Sequence, residues 1–369
     1  MFITLETFDT QFSADSVEWC PIEGFQDIFI CGTYQLSPEN EKSETVIDTK
    51  PQIRLGKIFL FQVIKVGKLK LLQELEVSGV LDIKWAHVRC QENILFGIVN
   101  SVGFLQIYKL HTDDDLKVEL LTERKVREVE GEILALSLDW DTGKSPREGV
   151  KEEKISVSDS KGFVSIFHLI QGQLNFIGSQ KAHEFEAWIT AFDSWDSNII
   201  YSGGDDCKFK RFDIREEMTL MKCNQVHEAG VTSLHSNSSQ EFCLASGSYD
   251  EKLRLWDTRN FRRPVSEITL GGGVWRLKWD PFYNPHRYLL AACMYGGFRL
   301  IDCQNQENPK IIEEYNEHKS IAYGCDWCYF PSDQIIKKLQ FEEYQKPVLV
   351  TTCSFYDHTL KLSVINFEE

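Results

Sequence analysis

Histidine and aspartate recur together along this chain, and a paired histidine and aspartate can act as a general base in catalysis. Four of the nine histidines lie in or beside loops between strand-like runs, and aspartates occupy neighbouring positions of the same repeated pattern. The histidines are His183, His227, His318 and His358, and the aspartates are Asp206, Asp250 and Asp357. These residues are the first candidates for chemistry.

A structural role fits two of the histidines better. His227 recurs with Asp250, Ser246 and Trp256, and His183 recurs with Asp206 and Ser202. Such a set can form a buried hydrogen-bond chain, since polar groups inside a protein need partners. We therefore expect His183 and His227 to stabilise the fold.

His358 departs from this pattern because it directly follows Asp357 instead of preceding it in a loop. An imidazole titrates near neutral pH, so His358 is the predicted catalytic base, with Asp357 beside it in sequence. The alternative is that His358 is a solvent-exposed turn residue.

Aromatic and acidic residues cluster near the same turns and form a candidate binding surface. Asp205, Tyr249 and Tyr356 each precede a turn aspartate, and three loop segments add further members. The added residues are Glu186, Trp188, Trp275 and Tyr323. A rim of aromatics with a few acids is typical of a recognition surface, although packing between structural units would also use the aromatics.

The glycines at 271–273 are candidates for holding negative charge. Gly272 and Gly273 could direct backbone N–H groups at a carboxyl oxygen, as an oxyanion site requires. The chain contains no G-x-S-x-G, P-loop, G-x-G-x-x-G or H-E-x-x-H motif. The sequence therefore predicts no cofactor and no metal.

An internal repeat indicates which elements position these residues. The run GSYDEKLRLWDTR at 247–259 resembles YSGGDDCKFKRFDIR at 201–215 and TTCSFYDHTLKLSVI at 351–365. Short strands, often ending in tryptophan, end at 19, 85, 140, 193, 236, 279 and 327, with gaps of 66, 55, 53, 43, 43 and 48 residues. This approaches the period of a propeller blade of four strands. The sequence predicts an all-β, seven-bladed WD40-type β-propeller.

The candidate residues should then share one face of the ring. The loops that lead into the inner strands and the turns between second and third strands lie on the same face, which we call the top face. The run FITLETF at 2–8 is expected to close the ring as the outer strand of blade seven, next to residues 359–365. We expect a single domain over 1–369, with surface insertions at about 37–55, 141–153 and 331–346, the last forming a short amphipathic helix.

Composition limits the partners and the compartment. The net charge of −16 disfavours nucleic acid and anionic membrane surfaces, and favours a basic protein surface. No signal peptide or spanning segment is recognisable, and the eleven cysteines are scattered through strand-like runs. We expect a cytoplasmic protein, with the nucleus as the alternative, without a membrane or nucleic-acid partner.

Motifs outside the repeat resemble one family. They include DSVEWCP (15–21), PQIRLGKIFLF (51–61), LSLDWDTGK (136–144), AHEFEAWITAF (182–192), GGGVWRLKWDPF (271–282) and CSFYDH (353–358). Over nearly the whole chain they look like the WD-repeat diphthine methyl ester hydrolases of the diphthamide biosynthesis pathway. The resemblance implies a carboxylic ester hydrolase whose protein substrate is translation elongation factor 2. It also implies a modified histidine that ends in a trimethylated amine with a methyl-esterified carboxyl group.

The aromatic, acidic rim suits a quaternary ammonium group, because aromatic faces and nearby acids attract such a cation. A second interpretation is a non-catalytic adaptor, for example a substrate receptor. The segment Trp256-Asp257-Thr258-Arg259, with Phe212-Asp213-Ile214-Arg215 one blade earlier, resembles the element by which such receptors bind cullin-type ubiquitin ligases. The same segment can also be purely structural.

Overall fold

A computed structural model describes residues 2–37, 52–113, 115–142, 153–215 and 217–367. Within these ranges the strands form seven antiparallel sheets of four strands each. The predicted seven-bladed β-propeller is therefore confirmed. Each sheet is one blade. In blades one to six the strand that comes first in sequence is the inner strand, nearest the axis of the ring, and in blade seven the inner strand is the first of its three C-terminal strands.

The strand bounds follow chain order, with one blade closed by the N-terminus. The first strand of the chain, β1 (Phe2–Asp9), belongs to blade seven. Blade one holds β2 (Ser13–Trp19), β3 (Ile28–Leu36), β4 (Arg54–Ile64) and β5 (Lys68–Ser78), with one 3-10 turn at Lys65–Gly67. Blade two holds β6 (Val80–Trp85), β7 (Ile94–Asn100), β8 (Phe104–His111) and β9 (Lys117–Lys125). Blade three holds β10 (Ala135–Trp140), β11 (Glu153–Asp159), β12 (Phe163–Ile170) and β13 (Gln173–Lys181). Blade four holds β14 (Ile189–Phe192), β15 (Ile199–Gly203), β16 (Phe209–Asp213) and β17 (Thr219–Asn224).

The remaining three blades complete the ring. Blade five holds β18 (Val231–Ser236), β19 (Cys243–Ser248), β20 (Lys252–Asp257) and β21 (Ser266–Thr269). Blade six holds β22 (Arg276–Trp279), β23 (Tyr288–Ala292), β24 (Phe298–Asp302) and β25 (Lys310–Tyr315). Blade seven holds β26 (Ala322–Trp327), β27 (Pro347–Ser354), β28 (Thr359–Asn366) and the N-terminal β1.

Tryptophans near the ends of the inner strands join successive blades. The indole N–H of Trp85 donates to the carbonyl of Glu18 in the preceding blade at 3.1 Å. Trp140, Trp279 and Trp327 donate in the same way to Lys84, His235 and Lys278, at 2.9–3.1 Å. These bonds pair the one polar atom of a large buried ring, so the recurrent tryptophan fixes the spacing between blades.

The N-terminal strand closes the ring as predicted. β1 pairs antiparallel with β28, from Phe2 opposite Ile365 to Asp9 opposite Thr359. Phe2 also stacks on Tyr315 of blade six, with ring centroids 4.9 Å apart. The start of the chain therefore supplies the outer strand of blade seven. The first residue of this strand, Phe2, is held between blades six and seven.

One of the three expected insertions is visible. Within 331–346 the chain forms α1 (Ser332–Leu339), whose Ile335 and Leu339 are buried against the core. Most of the expected insertions at 37–55 and 141–153 lies outside the described residues. In the described ranges no helix is long and apolar enough to cross a membrane.

Candidate active site

A cavity of about 540 Å³ opens on the top face, where the inner strands begin and the second strands end. Residues of all seven blades line it. Seven of the eleven predicted site residues are among them: Glu186, Trp188, Tyr249, Trp275, Tyr323, Tyr356 and His358. These residues lie next to the turn aspartates or near the starts of the inner strands. They meet in one cavity because the ring brings the corresponding ends of different blades together.

Aromatic rings from four consecutive blades, four to seven, form one wall of the cavity. The Trp275 ring lies 5.8 Å from the Trp188 ring and 6.0 Å from the Tyr249 ring, between centroids. Tyr323 of blade seven stacks on Trp275 at 4.6 Å, and Phe355 lies 4.8 Å from Tyr323. The wall is a continuous aromatic surface of the kind that attracts a quaternary ammonium group.

Acidic residues border this aromatic wall. Glu186 lines the cavity. Asp205 is not in the lining: it accepts the indole N–H of Trp188 at 3.0 Å, which orients that ring. Burial raises the pKa of Tyr249, and the nearby carboxyl groups of Asp205 and Glu186 add to this effect, so its phenol stays neutral.

The floor of the cavity contains charged residues that sequence reasoning missed. Asp15 of β2 and Arg276 of β22 line the cavity and are 2% and 6% exposed. Burial raises the pKa of the Asp15 carboxyl well above its usual range, although the Arg276 guanidinium lowers it. Asp15 Oδ1 has no hydrogen-bond partner within the described part of the chain. The signal that could have found them is a charged residue in an inner strand. Both faces of an inner strand are covered in a closed ring, so a charged residue there is buried.

Ion pairs beneath the floor cross the axis of the ring. Arg276 Nη2 of blade six lies 3.1 Å from Asp82 Oδ1 of blade two. Glu18 of blade one pairs with Lys278 of blade six and, at 3.0 Å, with Lys84 of blade two. Burial would raise the pKa of Glu18, but the two ammonium groups lower it to about 2. Two of the pairs, Arg276 with Asp82 and Glu18 with Lys278, join blades that are not neighbours, so they cross the central channel and close the cavity from below.

The other histidine and aspartate pairs lie in hydrogen-bond chains within their blades. His183 Nδ1 lies 2.8 Å from Asp206 Oδ1, and its Nε2 lies 2.8 Å from Ser202 Oγ. His227 repeats this with Asp250 at 3.0 Å and Ser246 at 2.8 Å. Trp256 Nε1 also donates to Ser246 Oγ, at 2.8 Å. These groups are buried and satisfied by one another, which fits a structural role.

The expected pairing of His358 with Asp357 is not present. Asp357 Oδ1 accepts from Ser354 Oγ at 2.5 Å, and Oδ2 accepts the backbone N–H of Lys319 at 2.9 Å. Asp357 is therefore the turn aspartate of blade seven and does not line the cavity. His358 does line the cavity, and no described residue forms a hydrogen bond with its imidazole.

Gly272 and Gly273, the predicted oxyanion donors, lie outside the cavity lining. A Cβ atom on Gly272 would lie 2.1 Å from the carbonyl oxygen of Cys293. One on Gly273 would lie 3.1 Å from Met294 Sδ. The glycines thus allow the 271–273 segment to pack closely against blade six.

Comparisons with known proteins identify relatives. The WD domain, G-beta repeat family matches residues 218–257. The mouse protein named diphthine methyltransferase is 39% identical, over 88% of this chain and 69% of that protein. A Dictyostelium discoideum protein named diphthine methyltransferase homolog is 33% identical, over 95% of this chain and 96% of that protein. A chain in the crystal structure of a mitotic checkpoint complex matches with a TM-score of 0.67 and 14% identity, over 100% of this chain and 94% of that one, which shows the fold alone.

The relatives contradict the predicted reaction. The sequence resemblance predicts a carboxylic ester hydrolase, whereas both relatives are named methyltransferases.

Shorter matches exist to ubiquitin-ligase proteins. A pea protein named E3 ubiquitin-protein ligase COP1 is 27% identical over 32% of this chain, and a Caenorhabditis briggsae protein named DDB1- and CUL4-associated factor 11 homolog is 30% identical over 40%.

Proposed function

Because this chain belongs to the diphthine methyltransferase family, we propose that it is an enzyme of diphthamide biosynthesis that binds a protein-attached diphthine side chain in the top-face cavity. The aromatic wall formed by Trp188, Tyr249, Trp275 and Tyr323 is the observation that carries this proposal. The reaction we propose is transfer of one methyl group to that side chain from a sulfonium methyl donor, which leaves as the thioether; the relatives are named methyltransferases.

The aromatic wall supports binding of the cationic end of diphthine. Trimethylammonium has no N–H donor, so aromatic faces and nearby carboxylates hold it better than hydrogen bonds do. Glu186 supplies a carboxylate in the lining, and Asp205 supplies another at the rim. The excess of acids over bases in the whole chain adds a favourable long-range field.

The shape of the cavity supports a protein substrate. Its volume of about 540 Å³ is in the range of small-ligand sites, and it opens at the top face while the ion pairs close it from below. A long modified side chain can enter while the protein that carries it remains outside. We propose translation elongation factor 2 as this protein, and the cytoplasm as the place of the reaction.

His358 is the proposed proton acceptor in this cavity. It is the histidine of the cavity lining, and its imidazole is not engaged with any described residue. A histidine side chain that makes no other hydrogen bond can accept the proton that a group loses when it is methylated. Asp357 has no part in this proposal, because Ser354 and Lys319 already occupy its carboxylate.

The proposal is tested with elongation factor 2 purified from cells that lack this protein. After incubation with the purified chain, with and without S-adenosylmethionine, mass spectrometry measures the methylation state of the modified histidine. We expect a gain of one methyl group with the wild-type chain and S-adenosylmethionine, and at least a roughly tenfold slower gain with Tyr249→Ala. Ile177→Ala, a control at a 55% exposed side chain in outer strand β13 and outside the cavity lining, should behave as wild type. An unchanged or reduced mass with the wild-type chain and S-adenosylmethionine would refute the proposal.

Two exposed arginines support a second function as a ubiquitin-ligase adaptor. Arg259 Nη2 lies 2.7 Å from Asp257 Oδ2, and its side chain is 65% exposed. Arg215 forms the same pair with Asp213 one blade earlier and is 62% exposed. These pairs lie at the ends of the third strands of two neighbouring blades, at the face opposite the cavity. Co-purification of a cullin-type ligase adaptor with the wild-type chain, lost in the Arg215→Ala, Arg259→Ala double variant, would support this function; equal recovery with both chains would contradict the docking site.

A further inference from the structure

Two polar atoms in the cavity are buried and have no hydrogen-bond partner among the described residues: Asp15 Oδ1 and Trp275 Nε1. Both residues line the cavity, and Asp15 is almost fully buried. Leaving such groups unpaired costs free energy, so a protein keeps them where a bound molecule can satisfy them. These atoms are therefore in position to bind polar atoms of a ligand.

Arg276 adds a positive charge at the same place. It follows Trp275 directly in sequence, lines the cavity, and is paired through Nη2 with Asp82 beneath the floor. A guanidinium and an indole N–H only donate hydrogen bonds. Asp15 can also donate one, because burial raises its pKa and so favours the protonated carboxyl group. The floor is therefore suited to oxygen atoms that carry negative charge.

The aromatic wall and this floor require opposite charges on the ligand. The wall attracts a cation, but a simple quaternary ammonium would share the cavity with the buried Arg276 guanidinium, which repels it. A ligand with both charges removes this conflict. Trp275 belongs to both surfaces, since its ring is part of the wall and its N–H is one of the unpartnered atoms. The two charges must therefore lie close together in the ligand.

We propose that Asp15, Trp275 Nε1 and Arg276 form a carboxylate subsite, which holds the carboxyl group of the bound side chain while the aromatic wall holds its quaternary ammonium group. The subsite rests on the proposed function. It specifies that the cavity recognises the carboxyl group of the side chain as well as its quaternary ammonium group. Specificity then comes from the floor, while the aromatic wall supplies general affinity for the cation.

Three small probes separate the two surfaces: glycine betaine, choline and tetramethylammonium. All three carry a quaternary ammonium, but only glycine betaine adds a carboxylate. Ligand-observed NMR titration of the purified chain should give at least a roughly tenfold tighter Kd for glycine betaine than for tetramethylammonium, with choline close to tetramethylammonium. Equal binding of the three probes would overturn the carboxylate subsite and leave the cation site intact. Absence of binding by all three would contradict the cation site, and with it the subsite.

Variants assign the preference to named atoms. Trp275→Phe keeps an aromatic ring but removes the N–H, and should reduce the preference for glycine betaine at least about threefold. Trp188→Phe is the matched control, because its N–H is already bonded to Asp205; it should weaken all three probes alike. Asp15→Asn should keep the preference and Asp15→Leu should lose it, with thermal unfolding used to verify folding. If Asp15→Leu does not fold, the tryptophan pair decides, and an unchanged preference in Trp275→Phe would overturn the proposal.

Discussion

Two histidines of the same repeated pattern illustrate how differently one residue type is used in this molecule. His227 is buried between Asp250 and Ser246, whereas His358 lines the cavity and its imidazole forms no hydrogen bond with any described residue. Position in the repeat separates them, since two strands, β18 and β19, lie between His227 and its turn aspartate, and His358 directly follows one. The first stabilises a blade and the second is free for chemistry.

His227→Ala should lower the free energy of unfolding by about 1–3 kcal/mol, because it removes the two buried hydrogen bonds of the imidazole with Asp250 and Ser246. His358→Ala should change it by less than about 0.5 kcal/mol, because no described hydrogen bond is lost. Urea unfolding measures both. The activity assay should show the reverse order, with a loss in His358→Ala. A large loss of stability in His358→Ala together with full activity would refute both assignments.

His318 should make stability depend on pH. Burial, with a contribution from Lys361, lowers the pKa of folded His318 to about 3, against about 6.5 in an unfolded chain. Below about pH 6.5 the unfolded state therefore binds a proton that the folded state does not, so stability falls as the pH falls towards 3 and is unaffected above about 6.5.

The prediction is a comparison of wild type with His318→Gln. The variant lacks this titration, so its deficit in unfolding free energy should shrink by up to about 2 kcal/mol between about pH 7.5 and about pH 5. Urea unfolding at the two pH values measures the change. A deficit that is constant with pH would show that the histidine is not held neutral by its surroundings.

At the scale of single elements, the N-terminal strand has the clearest energetic role. Phe2 is buried and stacks on Tyr315, while its neighbour Ile3 on the other face of β1 is 39% exposed. Phe2→Ala should reduce the unfolding free energy by about 3 kcal/mol, and the matched Ile3→Ala by less than about 1 kcal/mol. Equal losses in urea unfolding would mean that β1 does not close the ring through this contact.

Elements were largely predictable from the sequence because their signals are local. The inner strands, their terminal tryptophans and the helix in 331–346 follow from periodicity within a few residues. The close packing of the glycines at 271–273 was not predictable, since it depends on how closely Cys293, just after β23, approaches them. Asp357 was misplaced for a similar reason: its partners Ser354 and Lys319 become visible only when the blade is assembled.

At the scale of the whole molecule, closing the ring creates contacts that no local pattern contains. Lys278 and Glu18 pair although they are separated by 260 residues. The floor of the cavity depends on such pairs, so Asp15 and Arg276 could not be predicted, while the aromatic wall could. The reaction class was also predicted wrongly, because repeat motifs indicate the fold and the ligand more directly than the chemistry.

The axial ion pairs should be coupled in energy. Lys278→Met leaves the buried Glu18 with Lys84 as its remaining described ion-pair partner and should cost about 3 kcal/mol of unfolding free energy. Adding Glu18→Gln removes the buried charge and should restore at least about 1 kcal/mol, as measured by urea unfolding. Additive losses in the double variant would contradict a direct interaction across the axis.

The central claim is that the top-face cavity recognises the modified side chain itself. The most direct test is the Kd of this protein for elongation factor 2 with and without the diphthine modification, measured by calorimetry for wild type and for Tyr249→Ala with Trp275→Ala. The account predicts at least about tenfold tighter binding of the modified protein by wild type, and no difference for the double variant. Equal affinity of wild type for both forms, or a preference that survives in the double variant, would contradict it.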